Sequence, residues 1–120
     1  MSHGRVLLIE DDADVRDVIS AMLADLGYAV TACSNAEDGV ESLGAGARFE
    51  VVVSDVMMPG TTGLELSTLV RRWLPRTPIV LVTGKQEALD SAVKSGYIPL
   101  LKPFTEDQLQ AVLAEAMKTG

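Results

Sequence analysis

The sequence contains few residues of several types, and each shortage excludes a class of protein. A single cysteine, Cys33, cannot form an internal disulfide and fits a reducing compartment. Lysine and arginine total 10 against 17 acidic residues, so the net charge is -7. Nucleic acid and anionic membranes attract basic surfaces, so neither is expected as a partner. No apolar run approaches membrane-spanning length, and we expect a cytoplasmic protein without a signal peptide.

The length and the apolar content indicate one globular domain. A chain of 120 residues has the usual size of a single domain, so we expect one domain over residues 1–120. Residues 1–4 are expected to be disordered or to remain from an expression tag. Hydrophobic residues make up 48% of the chain but aromatic residues only 4%, so the core must be aliphatic.

Short apolar runs alternate with amphipathic stretches along the chain. This alternation is typical of βα units, and it predicts an α/β fold with a parallel sheet covered by helices on both faces. The predicted strands lie at residues 6–9, 29–32, 51–54, 79–82 and 100–101. Helices are predicted at about residues 15–26, 35–44, 63–73 and 105–117, with a further short or mobile one between residues 83 and 102.

Acidic residues follow two of the predicted strands. Glu10, Asp11 and Asp12 come after the first strand, and Asp55 ends the third. Ligands of an open parallel sheet bind outside the carboxyl ends of its strands, so these carboxylates should meet there. Crowded carboxylates raise one another's pKa values unless a cation lies among them. The pattern therefore predicts a hard divalent metal bound through oxygen, with Mg2+ the natural candidate.

Two further polar residues follow predicted strands. Thr83 comes after the fourth strand and Lys102 after the fifth. Carboxylates joined by one hydroxyl and one amine are suited to phosphoryl groups, because the metal and the amine neutralise phosphate oxygens and the hydroxyl donates a hydrogen bond. Asp55 is then the expected nucleophile, and its attack on a phosphoryl group would give an acyl phosphate.

Four segments, in this order, resemble the receiver domain of two-component response regulators. They are residues 7–16, residues 54–60 with 63–66, residues 82–84 and residues 101–104. The resemblance covers essentially the whole chain. It implies a doubly wound, flavodoxin-like sheet of five parallel strands in the order 2-1-3-4-5 with five helices, as in chemotaxis regulators.

The resemblance also implies the roles of the acidic residues. Asp55 would accept a phosphoryl group from a histidine kinase or a histidine phosphotransfer protein. Mg2+ would be bound directly by Asp11, by Asp55 and by the backbone carbonyl of Met57, and through water by Glu10. Asp12 occupies a position that need not be acidic, so it ranks below the other ligands.

Roles for the C-terminal part follow from the same resemblance. Thr83 would donate a hydrogen bond to one phosphoryl oxygen and Lys102 would pair with another, while the Lys102–Pro103 peptide would be cis. Pro99 stands where many receivers carry an aromatic residue that swings inward. Residues 96–104 are therefore more similar to receivers of hybrid sensor kinases or to single-domain regulators. We expect contact with a downstream protein through the last two predicted helices and the last strand.

Two other functions remain open from the sequence. The first is a receiver-like module that binds partners without being phosphorylated, although the complete set of polar residues speaks against a pure scaffold. The second is a Mg2+-dependent phosphatase with an aspartyl nucleophile. Such enzymes, in the haloacid dehalogenase-like family, carry a second Asp two residues beyond the nucleophile, where this chain has Met57. We therefore expect a phosphoaccepting signalling domain rather than an enzyme.

Overall fold

Strands and helices alternate along the described residues up to residue 55 and again from residue 79. The structure is a computed structural model that describes residues 4–44, 48–55, 72, 76–94 and 96–119. Apart from Arg72, the predicted helix at about 63–73 lies outside these residues. None of the described helices has both the length and the apolar character needed to cross a membrane. The strands are β1 (Arg5–Ile9), β2 (Ala29–Cys33), β3 (Val51–Asp55), β4 (Ile79–Thr83) and β5 (Ile98–Leu101), and the described helices are α1 (Ala13–Asp25), α2 (Ala36–Gly44), α3 (Gln86–Lys94) and α4 (Glu106–Thr119).

The five strands form one parallel sheet in the order β2-β1-β3-β4-β5. The predicted fold class and strand order are thus confirmed. β1 and β3 are neighbours, with Ile9 opposite Ser54. The residues that come next, Glu10 and Asp55, therefore reach the same edge of the sheet. The winding order reverses between these two strands, which is where open α/β sheets bind ligands.

The core is aliphatic and lies on both faces of the sheet. Alternate residues of a strand point to opposite faces, so β1 sends Leu7 and Ile9 to one side and Val6 and Leu8 to the other. Helices cover both faces, and every residue of β4 is buried. The first face holds Leu7, Ile9, Cys33, Phe49, Val52, Ile79, Leu81 and Ala92, and the second holds Val6, Leu8, Ile19, Leu23, Val51, Val53, Val80, Val82, Leu100, Leu109, Leu113 and Ala116.

Side-chain caps determine where two of the helices begin. The Asp12 carboxylate accepts hydrogen bonds from the backbone N–H groups of Asp14 (3.0 Å) and Val15 (3.1 Å), and so caps α1. At α4 the N–H of Gln108 donates to the Thr105 hydroxyl (3.1 Å), while the N–H of Thr105 donates to the Gln108 side chain (2.8 Å). This capping box confirms the predicted start of the last helix.

The predicted end of α1 is confirmed, whereas the apolar face predicted for this helix is only partly buried. Gly27 follows the helix with φ +97°, the left-handed conformation that glycine adopts without strain, as predicted. Val18 belongs to the apolar periodicity but is 55% exposed. The periodicity identifies a face of the helix, and the neighbouring elements do not cover that whole face.

Candidate functional site

Polar side chains from four strands meet at one edge of the sheet. Glu10 follows β1, Asp55 ends β3, Thr83 ends β4 and Lys102 follows β5. Glu10 is only 1% exposed and Thr83 is buried, whereas Asp11 is exposed. One oxygen from each of Glu10, Asp11 and Asp55 lies within 4.8 Å of the other two. The structure therefore brings together the carboxylates that the strand ends predicted, and we call these three residues the acidic cluster.

Lys102 connects two members of the acidic cluster. Its Nζ lies 2.5 Å from Oε1 of Glu10 and 3.2 Å from Oδ2 of Asp55. Its backbone N–H donates to the carbonyl oxygen of Thr83 at 2.8 Å, which attaches the end of β5 to the end of β4. The following Lys102–Pro103 peptide is cis, as expected. Charge-assisted bonds of this kind offset part of the cost of removing the carboxylates from water.

The cluster shifts the pKa values of Glu10 and Lys102. Burial of the Glu10 carboxyl raises its pKa to about 7. The hydrogen bond to Lys102 opposes this shift, and the charge of Asp55 adds to it. Burial alone would lower the pKa of Lys102, but the bond to Glu10 and the charge of Asp55 outweigh it, and the pKa of Lys102 is raised. At neutral pH Lys102 is therefore a cation, while Glu10 is partly protonated.

The described donors fit a hard divalent cation. The cluster consists of carboxylates, and one Lys102 ammonium does not balance three of them. Burial and, to a smaller extent, the charge of Asp55 raise the pKa of Glu10, so the contact with Lys102 does not fully stabilise the ionised carboxylate. Oxygen donors of this kind suit Mg2+. Met57, whose backbone carbonyl is a further predicted ligand, lies outside the described residues.

Asp12 has a different role from its acidic neighbours. It is exposed, and its Oδ1 is used in capping α1. It is not part of the acidic cluster. Its lower rank among the predicted ligands is consistent with this geometry.

Two contacts at the site were not predicted. Nη1 of Arg16 donates to the backbone carbonyl oxygen of Glu10 at 3.0 Å. The backbone N–H of Lys85 donates to the hydroxyl oxygen of Thr83 at 3.1 Å. A signal for Arg16 did exist in the sequence, because a cation near the start of a helix is disfavoured by the helix dipole and needs another partner. No comparable signal pointed to the backbone of Lys85.

An apolar groove of about 470 Å³ lies beside the acidic cluster. One wall is α1, and the other is the segment of residues 102–104. Lys102 lines the groove and also contacts Glu10 and Asp55. The exposed part of Val18, which the sequence pattern left unexplained, opens onto this groove. Its apolar lining residues are Val15, Val18, Ile19, Met22, Pro103 and Phe104.

The fold and the site have counterparts in a known family. Residues 6–114 match the family model of the response regulator receiver domain, and the chain therefore belongs to this family of two-component signalling domains. It is similar to the transcriptional regulatory protein FixJ of Bradyrhizobium diazoefficiens, with 35% identity over 120 residues. That match covers 98% of this chain and 58% of FixJ, so the chain spans less than two thirds of this relative.

Solved receivers have the same architecture. The chemotaxis protein CheY4 of Vibrio cholerae superposes with a TM-score of 0.83 at 30% identity, covering 97% of this chain and 98% of that one. The receiver domain of the sensor histidine kinase PA1611 from Pseudomonas aeruginosa superposes with a TM-score of 0.85 at 28% identity, covering 96% and 98%. The latter structure is described as having a magnesium ion coordinated in its active site cleft.

Different roles for Asp11 and Asp12 predict different effects of the same substitution. Asp11→Asn should weaken Mg2+ binding roughly tenfold or more, because a charged ligand is lost, which corresponds to about 1.4 kcal/mol. Asp12→Asn should change it by less than about threefold, since asparagine also caps helices and a nearby exposed charge is screened by salt. Isothermal titration with Mg2+ measures both affinities. Equal losses in the two variants would contradict the assignment.

The raised pKa of Glu10 predicts how the stability of the metal-free protein depends on pH. Its pKa is 4.5 ordinarily and about 7 in the folded protein. Between these values the folded state binds the proton more tightly than the unfolded state, so stability is lost as the pH rises through this range. The total loss should be on the order of 2 kcal/mol, allowing for partial solvent relaxation.

Urea unfolding in EDTA between pH 5 and 8 measures this loss. Glu10→Gln cannot titrate, so its free energy of unfolding, relative to the wild type, should increase as the pH rises. Comparing the two proteins at each pH cancels the contribution of all other titrating groups. A difference that stays constant across this range would show that the pKa of Glu10 is not raised.

Proposed function

We propose that this chain accepts a phosphoryl group on Asp55 from a histidine-phosphorylated protein, and that this modification changes its contacts with a downstream protein. The observation that carries the proposal is the contact between Asp55 and Lys102, whose Nζ lies 3.2 Å from Oδ2 at the end of the central strand β3. A carboxylate oxygen beside a fixed cation is in position to receive and hold a transferred phosphoryl group. Membership of the receiver family supports the reaction class.

The reaction is a displacement at phosphorus. A carboxylate oxygen of Asp55 attacks the phosphorus of phosphohistidine, a P–O bond forms, and the P–N bond breaks. The imidazole nitrogen leaves with the electron pair and takes a proton from solvent. The product carries a charge of about -2 where the carboxylate carried -1. Lys102, kept protonated by its raised pKa, can then pair with a phosphoryl oxygen.

The other residues of the site have supporting roles. Asp11 and Asp55, with Glu10 through water and Met57 through its carbonyl, would hold Mg2+, which would neutralise phosphoryl oxygens when bound. The Thr83 hydroxyl oxygen accepts a hydrogen bond from Lys85, which leaves the hydroxyl proton able to be donated to a phosphoryl oxygen. Apart from Met57, which lies outside the described residues, these residues follow or end strands at the same edge of the sheet.

The position of Thr83 suggests how phosphorylation would be transmitted. Thr83 is joined to the backbone of Lys85, and α3 begins at the next residue, Gln86. Reorientation of Thr83 towards a phosphoryl group would therefore disturb the start of α3. Val93 on α3 is 53% exposed and Leu101 on β5 is also exposed. These apolar side chains support the expected partner surface on α3, β5 and α4, which are the last two predicted helices and the last strand.

The apolar groove supports a protein as the phosphodonor. A small phosphorylated molecule needs only the polar residues around Asp55, whereas a phosphohistidine on a protein arrives with a large surface around it. The groove meets the site at Lys102 and is lined by apolar side chains of α1. Burial of such side chains by a partner would contribute to binding at about 25 cal/mol per Å² of apolar surface. The phosphodonor protein should therefore dock on α1.

Replacing the phosphoacceptor tests the proposed reaction. Wild-type protein incubated with acetyl phosphate and Mg2+ should gain the mass of one phosphoryl group, and Asp55→Asn should gain none, because an amide is not a nucleophile here. Asp17→Asn, which changes an exposed acid on α1, is the matched control and should be labelled like the wild type. Labelling of Asp55→Asn would show that a residue other than Asp55 accepts the phosphoryl group. A wild type that stays unlabelled would favour the unphosphorylated binding module.

Docking on the groove is tested by a charge placed in it. The kinase for this test is the purified histidine kinase that labels the wild type fastest. With this kinase, Val18→Asp should be labelled roughly tenfold more slowly or worse, since a carboxylate would be buried against the partner. Labelling by acetyl phosphate should be unchanged. Val93→Asp makes the same change at an equally exposed valine outside the groove and should leave both rates intact. Equal kinase rates for wild type and Val18→Asp would rule out docking there.

A further inference from the structure

Arg16 makes a contact that its place in α1 does not favour. It is the fourth residue of the helix, where the positive end of the helix dipole repels a cation. Its backbone takes part in the helix, donating to the carbonyl oxygen of Asp12 at 2.8 Å. Its side chain is half-buried, and Nη1 donates to the carbonyl oxygen of Glu10 at 3.0 Å. The guanidinium therefore reaches back over the loop between β1 and α1.

The contact anchors the peptide that joins Glu10 to Asp11, while a separate hydrogen bond anchors the preceding peptide. The N–H of Glu10 donates to the carbonyl oxygen of Cys33 at 3.0 Å, which ties the residue to β2. Its carbonyl oxygen is held by Arg16. The Cα of Asp11 follows directly on this peptide, so the orientation of the peptide plane, together with the φ angle of Asp11, determines the direction in which the Asp11 side chain leaves. Asp11 is exposed, so burial in the core does not fix its orientation.

We propose that Arg16 is a positioning residue for the metal site, holding the Glu10 carbonyl so that the Asp11 carboxylate stays within reach of Asp55. The inference rests on the proposed function, because it takes the acidic cluster to be a Mg2+ site. Arginine suits this task, since its charge is permanent and its planar fork fixes the direction of each N–H. Residues that hydrogen-bond to metal ligands or to their backbone affect metal affinity although they do not contact the ion.

The charge of Arg16 and its positioning role act on Mg2+ affinity in opposite directions. A positive charge near the acidic cluster repels an incoming cation, so removing the charge alone would strengthen Mg2+ binding. Releasing the Glu10 carbonyl would weaken it, because Asp11 would then sample orientations that do not reach the ion. The sign of the change therefore separates the two effects.

Titration calorimetry with Mg2+ on the whole chain tests the proposal. Arg16→Gln should weaken binding by about tenfold, the lower end of what loss of a ligand's supporting partner causes. Arg16→Lys, which keeps a donor and the charge, should recover part of that loss. Arg76→Gln removes the same charge from an exposed residue before β4, at the opposite edge of the sheet, and should bind like the wild type.

Three results would overturn the inference. One is binding by Arg16→Gln that equals or exceeds the wild type, because a positioning role requires weaker binding and loss of the charge alone would strengthen it. Another is Arg16→Lys binding no better than Arg16→Gln. The last is a lower urea midpoint of metal-free Arg16→Gln together with unchanged Mg2+ affinity of the folded protein, which is the mark of a purely structural role. If the wild type itself bound no Mg2+, the proposed function would fail first.

Discussion

The crowding of three carboxylates at one edge of the sheet is the constraint on which the site depends. It follows from topology, because β1 and β3 are adjacent and parallel and deliver Glu10 and Asp55 to the same place. Lys102 offsets part of the repulsion by contacting both residues. Burial, together with the charge of Asp55, nevertheless raises the pKa of Glu10. A second positive charge, such as a divalent metal ion, is therefore favoured at this edge. A phosphoryl group transferred to this site would then lie beside both the metal and Lys102.

The remaining surfaces connect to the cluster through single residues. Lys102 also lines the apolar groove, so a protein docked there would lie next to the acceptor carboxylate. Thr83 connects the same edge to the start of α3 through the backbone of Lys85. Under the proposed function, the groove would receive the phosphodonor and α3 would transmit the modification. Because the two surfaces use different helices, a donor and a downstream partner need not compete for the same residues.

The sequence predicted the sheet and most of the site because both depend on local signals. Apolar runs mark strands that are buried on both faces, and the polar residue that ends each run must lie at the edge of the sheet. The exposure of Val18 and the contact of Arg16 were not predicted, because their surroundings depend on how the chain packs around α1. Periodicity treats Val18 as core, yet residues 102–104 leave a groove beside it. The position of Arg16 near the start of a helix indicates that it needs a partner, but the identity of that partner, the carbonyl of Glu10, depends on the path of a loop.

Chemical trapping of the acceptor tests the central claim most directly. Borohydride reduces an acyl phosphate of aspartate to homoserine, so the protein is incubated with acetyl phosphate and Mg2+, reduced and mapped by peptide mass spectrometry. We predict homoserine at Asp55, with Asp11 and Glu10 unchanged, because Asp55 is the carboxylate that ends the central strand beside Lys102. Homoserine at another position, or none anywhere in a folded protein that binds Mg2+, would contradict the account.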